Sequence, residues 1–437
     1  MMQPSAVEQS IGLTTFYTAH HGVGGILRFK PEDFIVDEIP ASFSEDVNGH
    51  FLLVLVQSRN WETNDLIREF ANKLYISKKR ISFAGTKDKR AVTSQVFCFY
   101  RITEEEIQSI SIPDVTCKIL HRTRKRVTIG DLTGNKFTIT IRDIDESVDK
   151  DQIEQIIQKL NEIKGFPNFF GVQRFGGIRP ITHLVGRAIV NADFEQAVMI
   201  YLTKTSPFEG EDATLARTNL AETLDFKQGF HDFPYRLRFE KILMQHISTH
   251  PDDFTGALQK LPGNLLTMFV YAFQSYLFNR MLSQRIMNNI PLHEAVVGDD
   301  ILPITRDGVS KDSIRVSENN IEKVNEQIRK GKAVVSNVIP GSDTAYADGP
   351  MGKIQEKVIK EEQVDIRDFI IPEIPPASSY GTNRAILSPI SSISSVLDMD
   401  EFHSSHQKLT LSFSLVKGSY ATSFLREIMK LEDITKY

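Results

Sequence analysis

The chain has 437 residues, of which 41% are hydrophobic and 24% charged, so it is long enough for two domains or for one domain with a large insertion. This composition excludes an intrinsically disordered protein, and no apolar run approaches the length that spans a bilayer. The polar N-terminus lacks the features of a secretory signal, and two cysteines are too few for a disulfide framework or a four-ligand zinc site. We therefore expect a soluble, cytoplasmic protein.

The formal net charge of −5 hides a basic region in the N-terminal half of the chain. From Lys73 to Lys136 there are 14 Lys or Arg and 6 Asp or Glu, a local excess of 8 positive charges. From Asp343 to Glu373 the balance reverses, with 8 acids and 4 bases. A basic face on an otherwise acidic protein is typical of an RNA-binding enzyme. The alternative, an ordinary solvated surface, stays open.

The first 180 or so residues alternate short strand and helix patterns. Strands are predicted at His50–Gln57, at Val96–Tyr100 and over the alternation from Phe137 to Arg142, and helices at Thr63–Tyr75 and Lys150–Ile163. Thr63 or Asn64 is the expected N-cap of the first helix. Cys98 falls in the second strand and is expected to be a small core residue.

The middle of the chain, from about His183 to Asn289, is mostly helical in pattern, and Leu265–Ile290 is its longest amphipathic stretch. Ile370–Tyr380 is rich in Pro and Ser and reads as a connector. The tail returns to strand alternation around Leu409–Leu415, and Ser419 is placed to cap a final helix. Strand-rich ends around a helical middle predict one α+β sheet domain interrupted by an insertion.

Asp88 is the main candidate for chemistry, because it lies between Lys87 and Lys89 and just after a turn at Gly85. A carboxylate among cations stays ionised, which suits a nucleophile or an RNA-facing group. Successive side chains of an extended segment point apart, so a distant Arg is a better partner for the carboxylate than either Lys. The alternative is a surface Asp that stabilises its own turn.

The segment Arg28–Glu38 supplies a candidate for that partner. Pro31 favours an extended start, and Phe34 and Val36 then alternate as a strand does. Arg28 precedes this strand, and its guanidinium is able to grip a carboxylate or a phosphate with two parallel bonds. By itself the segment is also consistent with an ordinary strand start.

A third cluster, Asn168–Gly176, contains three Phe and two Gly in nine residues. Such a set is able to stack a base that has left its helix, while Asn168, Gln173 and Arg174 add hydrogen-bond donors. Phe is usually a core residue, so simple packing is the alternative for each ring.

A fourth cluster is the basic run Lys118–Arg126, which precedes a turn at Gly130–Asn135 and is expected to lie on a strand. Bases at this density suit contacts with RNA phosphates. The candidate RNA-binding residues are Arg122, Arg124, Lys125 and Arg126.

Taken together, these clusters resemble the TruD family of tRNA pseudouridine synthases. The blocks that carry the resemblance stand in the family's order from about Gly22 to Leu431: Pro31–Phe34, Phe83–Gln95, Gly130–Phe137, Asn168–Gly176, Gln274–Asn279 and Lys417–Thr422. Each block alone is modestly specific, but six in order rarely occur by chance.

The resemblance implies site residues and a domain plan. Asp88 stands where the family has its catalytic aspartate, and Asn168 and Phe170 match the Asn and Phe beside the target base. Lys87 and Gln173 are further expected substrate-binding residues. Arg28 stands where many members have Lys, so its contact with Asp88 or with RNA is left open.

The implied fold is a pseudouridine-synthase-like, mixed and largely antiparallel sheet domain with helices. Residues 1–182 and 388–437 would form this catalytic domain, and residues 183–387 a large inserted, helix-rich α/β TRUD domain. The length of the insertion is more typical of archaeal than of bacterial members.

The implied reaction converts uridine to pseudouridine in tRNA, usually at position 13, by base flipping and without a cofactor or a metal. Asp88 would attack the sugar, attack the base or remove a sugar proton. The expected partner is tRNA, with no membrane and no small-molecule cofactor, and a monomer is slightly favoured.

Two other functions are weighed against this one. The first is a non-catalytic RNA-binding protein on the same fold. The second is an aspartate-based hydrolase such as a glycosidase, which would need a second acid as proton donor. Glu32 and Asp33 would qualify only if the fold brought them close to Asp88.

Overall fold

The structure is a computed structural model that describes residues 2–305, 308–310 and 312–436. Its contacts divide the chain into two compact units. We call residues 20–166, 388–431 and 436 the sheet unit, and residues 2–19, 167–387 and 432–435 the helical unit. In the middle of the chain the units divide at 166/167 and at 387/388, and the domain plan of residues 1–182 and 388–437 around 183–387 stays a prediction.

The strands of the described residues follow the alternating apolar patterns, with β1 and β4 bounded by charged or turn residues. They are β1 (Phe34–Pro40), β2 (Phe51–Arg59), β3 (Ile81–Phe83), β4 (Val92–Tyr100), β5 (Val115–Thr123), β6 (Leu132–Ile144), β7 (Gly165–Pro167), β8 (Asp300–Thr305), β9 (Gly308–Val309), β10 (Ile314–Arg315), β11 (Ala333–Ile339), β12 (Thr382–Ala385), β13 (Leu387–Met399) and β14 (Gln407–Val416). The strands predicted in β2, β4, β6 and β14 are confirmed.

The helices of this part of the chain are concentrated between residues 182 and 287. They are α1 (Ala6–Ser10), α2 (Thr63–Lys73), α3 (Glu104–Ser109), α4 (Lys150–Glu162), α5 (Thr182–Val190), α6 (Phe194–Thr203), α7 (Glu211–Thr223), α8 (Phe226–Asp232), α9 (Arg238–Thr249), α10 (Phe254–Gln259), α11 (Gly263–Met287), α12 (Ile321–Arg329), α13 (Gly349–Glu361) and α14 (Ala421–Met429). None of them is long and apolar enough to cross a membrane.

A nine-stranded sheet organises the sheet unit, in the order β5-β2-β4-β1-β6-β14-β13-β7, with β3 beside β4. β1 and β4 pair in parallel, whereas β2 with β4 and β1 with β6 pair antiparallel. The middle of β4 is buried on both faces, as its unbroken apolar run predicts. Phe97 and Phe99 pack against α2, while Cys98 packs on the other face with Val96. The sheet thus confirms a mixed, largely antiparallel α+β fold.

The helical unit is built around α11, a helix of 25 residues of which more than half are buried. α5 and α6 pack in the same apolar core as α11. The unit also contains a five-stranded sheet in the order β10-β8-β11-β12, with β9 beside β8. This combination agrees with the predicted helix-rich α/β character of the insertion.

Two capping predictions are wrong. The N-cap of α2 is Glu62, whose carboxylate accepts the amide hydrogens of Asn64 and Asp65. At the last helix, Ser419 does not cap α14, because its hydroxyl accepts a hydrogen bond from Ser388 at 2.6 Å. The hydroxyls of Thr63 and Ser419 are instead bound to residues distant in the chain, since Thr63 accepts the amide hydrogen of Lys87 and Ser419 accepts from Ser388.

Candidate active site

Asp88 lies in the connection from β3 to β4, and more than half of its side chain, 58%, is exposed. Arg28 donates a hydrogen bond from Nη2 to its Oδ2 at 2.7 Å. Among the described residues, none donates a hydrogen bond to Oδ1. The carboxylate is therefore held by a cation through one oxygen and open to solvent through the other.

The position of Arg28 depends on an unusual backbone and an aromatic support. Its φ of 56° is in the left-handed region, which non-glycine residues seldom adopt outside turns and functional sites. The guanidinium carbon lies 4.2 Å from the ring centroid of Phe34, the first residue of β1. Burial lowers the pKa of Arg28, and the nearby Asp88 opposes this shift. The sequence left open whether Arg28 contacts Asp88 or RNA, and in the structure Arg28 is hydrogen-bonded to Asp88.

Lys87 faces the other way from Asp88. Its side chain is only 6% exposed, and Nζ lies 2.9 Å from Oε2 of the fully buried Glu38 on β1. The other oxygen of Glu38 accepts the amide hydrogen of Val96 on β4. The ammonium group of Lys87 is therefore paired inside the sheet unit, and its expected contact with the substrate stays a prediction.

The acids that a hydrolase would need are committed to other ion pairs. Arg59 donates a hydrogen bond to Glu32 at 2.5 Å, and this bond lowers the pKa of the Glu32 carboxyl. Asp33 is buried, and Nε of Arg142 donates to both of its oxygens at 2.8 and 2.9 Å. Both carboxylates are therefore paired with arginines and not with Asp88.

Asn168 belongs to the helical unit, and its side chain is tied to the backbone and side chain of β12. Its Nδ2 donates to the carbonyl of Ala385 at 2.8 Å, and its Oδ1 accepts from Arg384 at 2.6 Å. Both polar atoms of the Asn168 side-chain amide are thus hydrogen-bonded within the protein. Sequence reasoning missed Arg384, since a single basic residue in a short strand carries no motif.

Phe170 lies in the same cluster and is buried except for 7% of its surface. Its ring meets Phe278 edge to face with the centroids 5.6 Å apart, and the Arg384 guanidinium lies 4.1 Å from its centroid. Asn279 binds both the amide and the carbonyl of Phe170. Phe170 is therefore both a core residue and a cavity residue.

The cavity beside Phe170 has a volume of about 280 Å³. Arg174 and Tyr271 contribute to its wall, and the guanidinium of Arg174 lies over both the Phe170 and the Tyr271 rings. The remaining lining residues are Gln274, Ser275, Ile339, Ser379, Gly381 and Thr382. Gln173 is exposed on the short 3-10 turn at Val172–Phe175.

The basic run is divided between a strand and the loop that follows it. Arg122 is on β5, half-buried, and donates to the carbonyl of Ile102 at 2.9 Å. Arg124 and Lys125 follow the strand and are exposed, in pairs with Asp46 and Asp131, and Arg126 donates to the carbonyl of Lys79. The expectation that the whole run lies on a strand is therefore wrong, because β5 ends at Thr123.

Comparison with known proteins agrees with this fold. The family model of tRNA pseudouridine synthase D (TruD) matches residues 10–428. The chain is 41% identical over 432 residues to a probable tRNA pseudouridine synthase D of Methanococcoides burtonii, with 98% of each chain covered. It is 42% identical over 439 residues to that of Methanosarcina barkeri, with 99% of each covered.

A solved structure gives the same result. The crystal structure of the putative tRNA pseudouridine synthase D (TruD) from Methanosarcina mazei superposes with a TM-score of 0.93, at 38% identity and over 100% of both chains. Fold and site therefore define an α+β protein in which Arg28 binds the exposed carboxylate of Asp88. The chain belongs to the tRNA pseudouridine synthase D (TruD) family.

Proposed function

We propose that this protein converts uridine to pseudouridine in tRNA, as the names of its relatives indicate, and that Asp88 is its catalytic residue. The observation that carries the proposal is the exposed Asp88 carboxylate, bound by Arg28 at 2.7 Å within a chain that matches the family over nearly its whole length. The alternative of a non-catalytic RNA-binding protein is not favoured, because its relatives are named as synthases.

The chemistry that the proposal requires fits one carboxylate. Uridine isomerisation transfers no group to or from solvent overall, so a second acid is not needed for the net reaction. Arg28 orients the Asp88 carboxylate and balances its charge, while Oδ1 faces the substrate. The attack on the sugar, the attack on the base and the removal of a sugar proton remain the three alternatives for this oxygen.

The target uridine must leave the RNA stack before its glycosidic bond is broken, and the detached base must be held while it turns. We assign this task to Phe170, whose ring borders a cavity of about 280 Å³. Asn168 supports Phe170 through Arg384, which contacts both. Gln173, exposed beside the cavity-lining Arg174, is proposed to contact the RNA.

The domain roles and the biological setting are also proposals. Residues 1–182 and 388–437 are proposed as the catalytic domain, since they include Asp88 and Arg28, and residues 183–387 as the inserted domain. The exposed bases Arg124 and Lys125 are proposed to contact tRNA phosphates. We further propose uridine 13 as the target, a cytoplasmic location and a monomer.

The test is incubation of the purified protein with unmodified tRNA transcript, followed by carbodiimide labelling and primer extension. We expect one new stop at a single uridine, which Asp88→Asn abolishes while RNA binding persists. The RNA mass should stay unchanged, because a hydrolase would release free base. Appreciable turnover by Asp88→Asn would contradict the role of Asp88. RNA binding by the wild-type protein without any modification would favour the non-catalytic RNA-binding alternative.

A further inference from the structure

The buried ion pair between Lys87 and Glu38 lies directly beside Asp88 in the chain. Lys and Glu are rarely buried, because removal of a charge from water costs more than an ordinary ion pair returns. Here both side chains are almost completely buried, with 2.9 Å between Nζ and Oε2. Such a pair is weak evidence for stability, so its place next to Asp88 needs a different explanation.

Glu38 is fixed by the sheet rather than by the loop. It lies on β1, and its Oε1 accepts the amide hydrogen of Val96 on the parallel neighbour β4 at 3.1 Å. Its carboxylate therefore has a defined position before Lys87 binds to its second oxygen. A lysine that binds this oxygen takes its own position from the sheet.

Lys87 is held at two points. Its ammonium group binds Glu38, and its amide hydrogen binds Oγ1 of Thr63, at the start of α2, at 2.8 Å. The backbone around it, residues 84–91, has no regular secondary structure. With Lys87 directed inward, the next residue, Asp88, projects outward to Arg28. The direction of Asp88 thus follows from the anchoring of Lys87.

We propose that Glu38 is a positioning residue for the reaction, which acts through Lys87 to set the direction of the Asp88 carboxylate. The inference rests on the proposed function and goes one step beyond it, because the fully buried Glu38 does not touch the substrate. Removal of either charge leaves the other one buried and unpaired, so the loop must shift to hydrate it. A shift of about 1 Å in a catalytic group is enough for a rate loss of roughly 100-fold.

The experiment compares Glu38→Gln, Lys87→Met and the double variant in pseudouridine formation and in tRNA binding. We expect each single variant to lose roughly 100-fold in kcat, with Kd for tRNA unchanged. The double variant removes both charges and should recover Tm, but it should not recover kcat, because the anchor is still missing. A double variant that recovers kcat together with Tm would reduce the pair to a stability element and overturn the proposal, as would single variants with full kcat.

A second measurement is independent of turnover. Hydrogen–deuterium exchange of residues 84–91 should accelerate roughly tenfold in the variants, while exchange in β14 stays unchanged. If the wild-type protein forms no pseudouridine, the proposed function fails, and this exchange alone decides whether Glu38 anchors the loop. Unchanged exchange overturns the proposal. Glu154→Gln is the matched control, because it breaks an exposed Lys150–Glu154 pair in the same unit and should change neither measurement.

Discussion

At the scale of single residues, the site depends on side chains that are directed by strained or buried contacts. Arg28 reaches Asp88 from a left-handed backbone position, with its guanidinium over Phe34. Strain of this kind persists only where the surrounding structure enforces it, and it is concentrated at functional sites. Arg28 is thus preorganised for the carboxylate before any RNA is bound.

We expect Arg28→Ala to lower kcat by roughly 100-fold, because the carboxylate loses both its orientation and its charge partner. Arg28→Lys should fall between this variant and the wild type, since it keeps the charge but not the planar donor geometry. Initial rates on tRNA transcript measure both. Arg101→Ala, which removes another left-handed arginine of the sheet unit, is the control. A full rate in Arg28→Ala would contradict this role.

Phe170 and Phe278 form a matched pair for a second test. Both are buried and their rings are in contact, but only Phe170 borders the cavity. Stacking of a base on an aromatic ring contributes about 1–3 kcal/mol, so Phe170→Leu should lower kcat by roughly tenfold with little change in tRNA affinity. Phe278→Leu should lower Tm about as much as Phe170→Leu does, but it should leave kcat unchanged. Equal rates in the two variants would make Phe170 a core residue only.

At the scale of elements, the end of β5 determines which basic side chains of the Lys118–Arg126 run are exposed to solvent. Arg122, inside the strand, is tied to a carbonyl, whereas Arg124 and Lys125, beyond the strand, are 76% and 71% exposed. Their pairs with Asp46 and Asp131 are surface ion pairs, which contribute little stability. An RNA phosphate is able to replace either carboxylate.

The double variant Arg124→Gln/Lys125→Gln should weaken tRNA binding and reduce the slope of log K against log salt by roughly 1 to 2. Filter binding at several salt concentrations measures this slope. Lys353→Gln/Lys357→Gln removes the same charge from α13, in the acidic region, and should leave the slope unchanged. An unaltered slope in Arg124→Gln/Lys125→Gln would show that the loop after β5 makes no contact with RNA phosphates.

Helix α5 contains a buried titratable group, His183. Burial lowers its pKa to about 4, and it packs between Tyr276 and Phe175. A histidine with a pKa lowered from 6.5 is neutral in the fold, so stability is complete above pH 6.5 and is lost as the pH falls towards 4. The shift corresponds to about 3 kcal/mol.

We expect His183→Phe to remove most of the stability loss at low pH, because a ring of similar shape remains and this side chain takes up no proton on unfolding. Urea unfolding at pH 7 and pH 4.5 gives the two free energies of unfolding for each protein. The exposed His231, changed to Phe, is the control and should keep the pH dependence of the wild type. An equal pH dependence in wild type and His183→Phe would contradict the assignment.

At the scale of the whole molecule, each unit has its own core and its own part of the predicted site. The sheet unit contains Asp88 and Arg28, and the helical unit contains Asn168 and Phe170. Residues 167–182 pack with the helical unit, because Phe170 is bound by Asn279 and Phe278 of α11. A sequence pattern alone does not reveal this, since Asn279 is 109 residues further along the chain than Phe170.

The proposed reaction moves the base within one nucleotide, so we expect turnover to survive excess chelator. The test uses tRNA folded beforehand and held in monovalent salt with polyamine, so that loss of Mg²⁺ does not unfold the RNA. Pseudouridine formation before and after chelation is the measurement. Loss of activity that a divalent metal restores would contradict the metal-free expectation.

Several strands and helices and the family motif could be predicted from the sequence alone. Apolar alternation defines β6, an unbroken apolar run defines β4 and a 3.6-residue period defines α2, because local side-chain spacing decides which face of an element is buried. The composition of the segment around Asp88, together with five other blocks, was enough to indicate the family. These features are local, and local physics decides them.

Which distant groups come into contact depends on the tertiary structure. Arg28 and Asp88 are 60 residues apart in the chain, and they pair because β1 lies parallel to β4 in the sheet. In the same sheet, Glu38 on β1 binds Lys87 and holds its side chain in the interior, away from the exposed Asp88. Arg384 reaches Asn168 from more than 200 residues away. Such partners follow from strand order and register, which the pattern of a single segment does not encode.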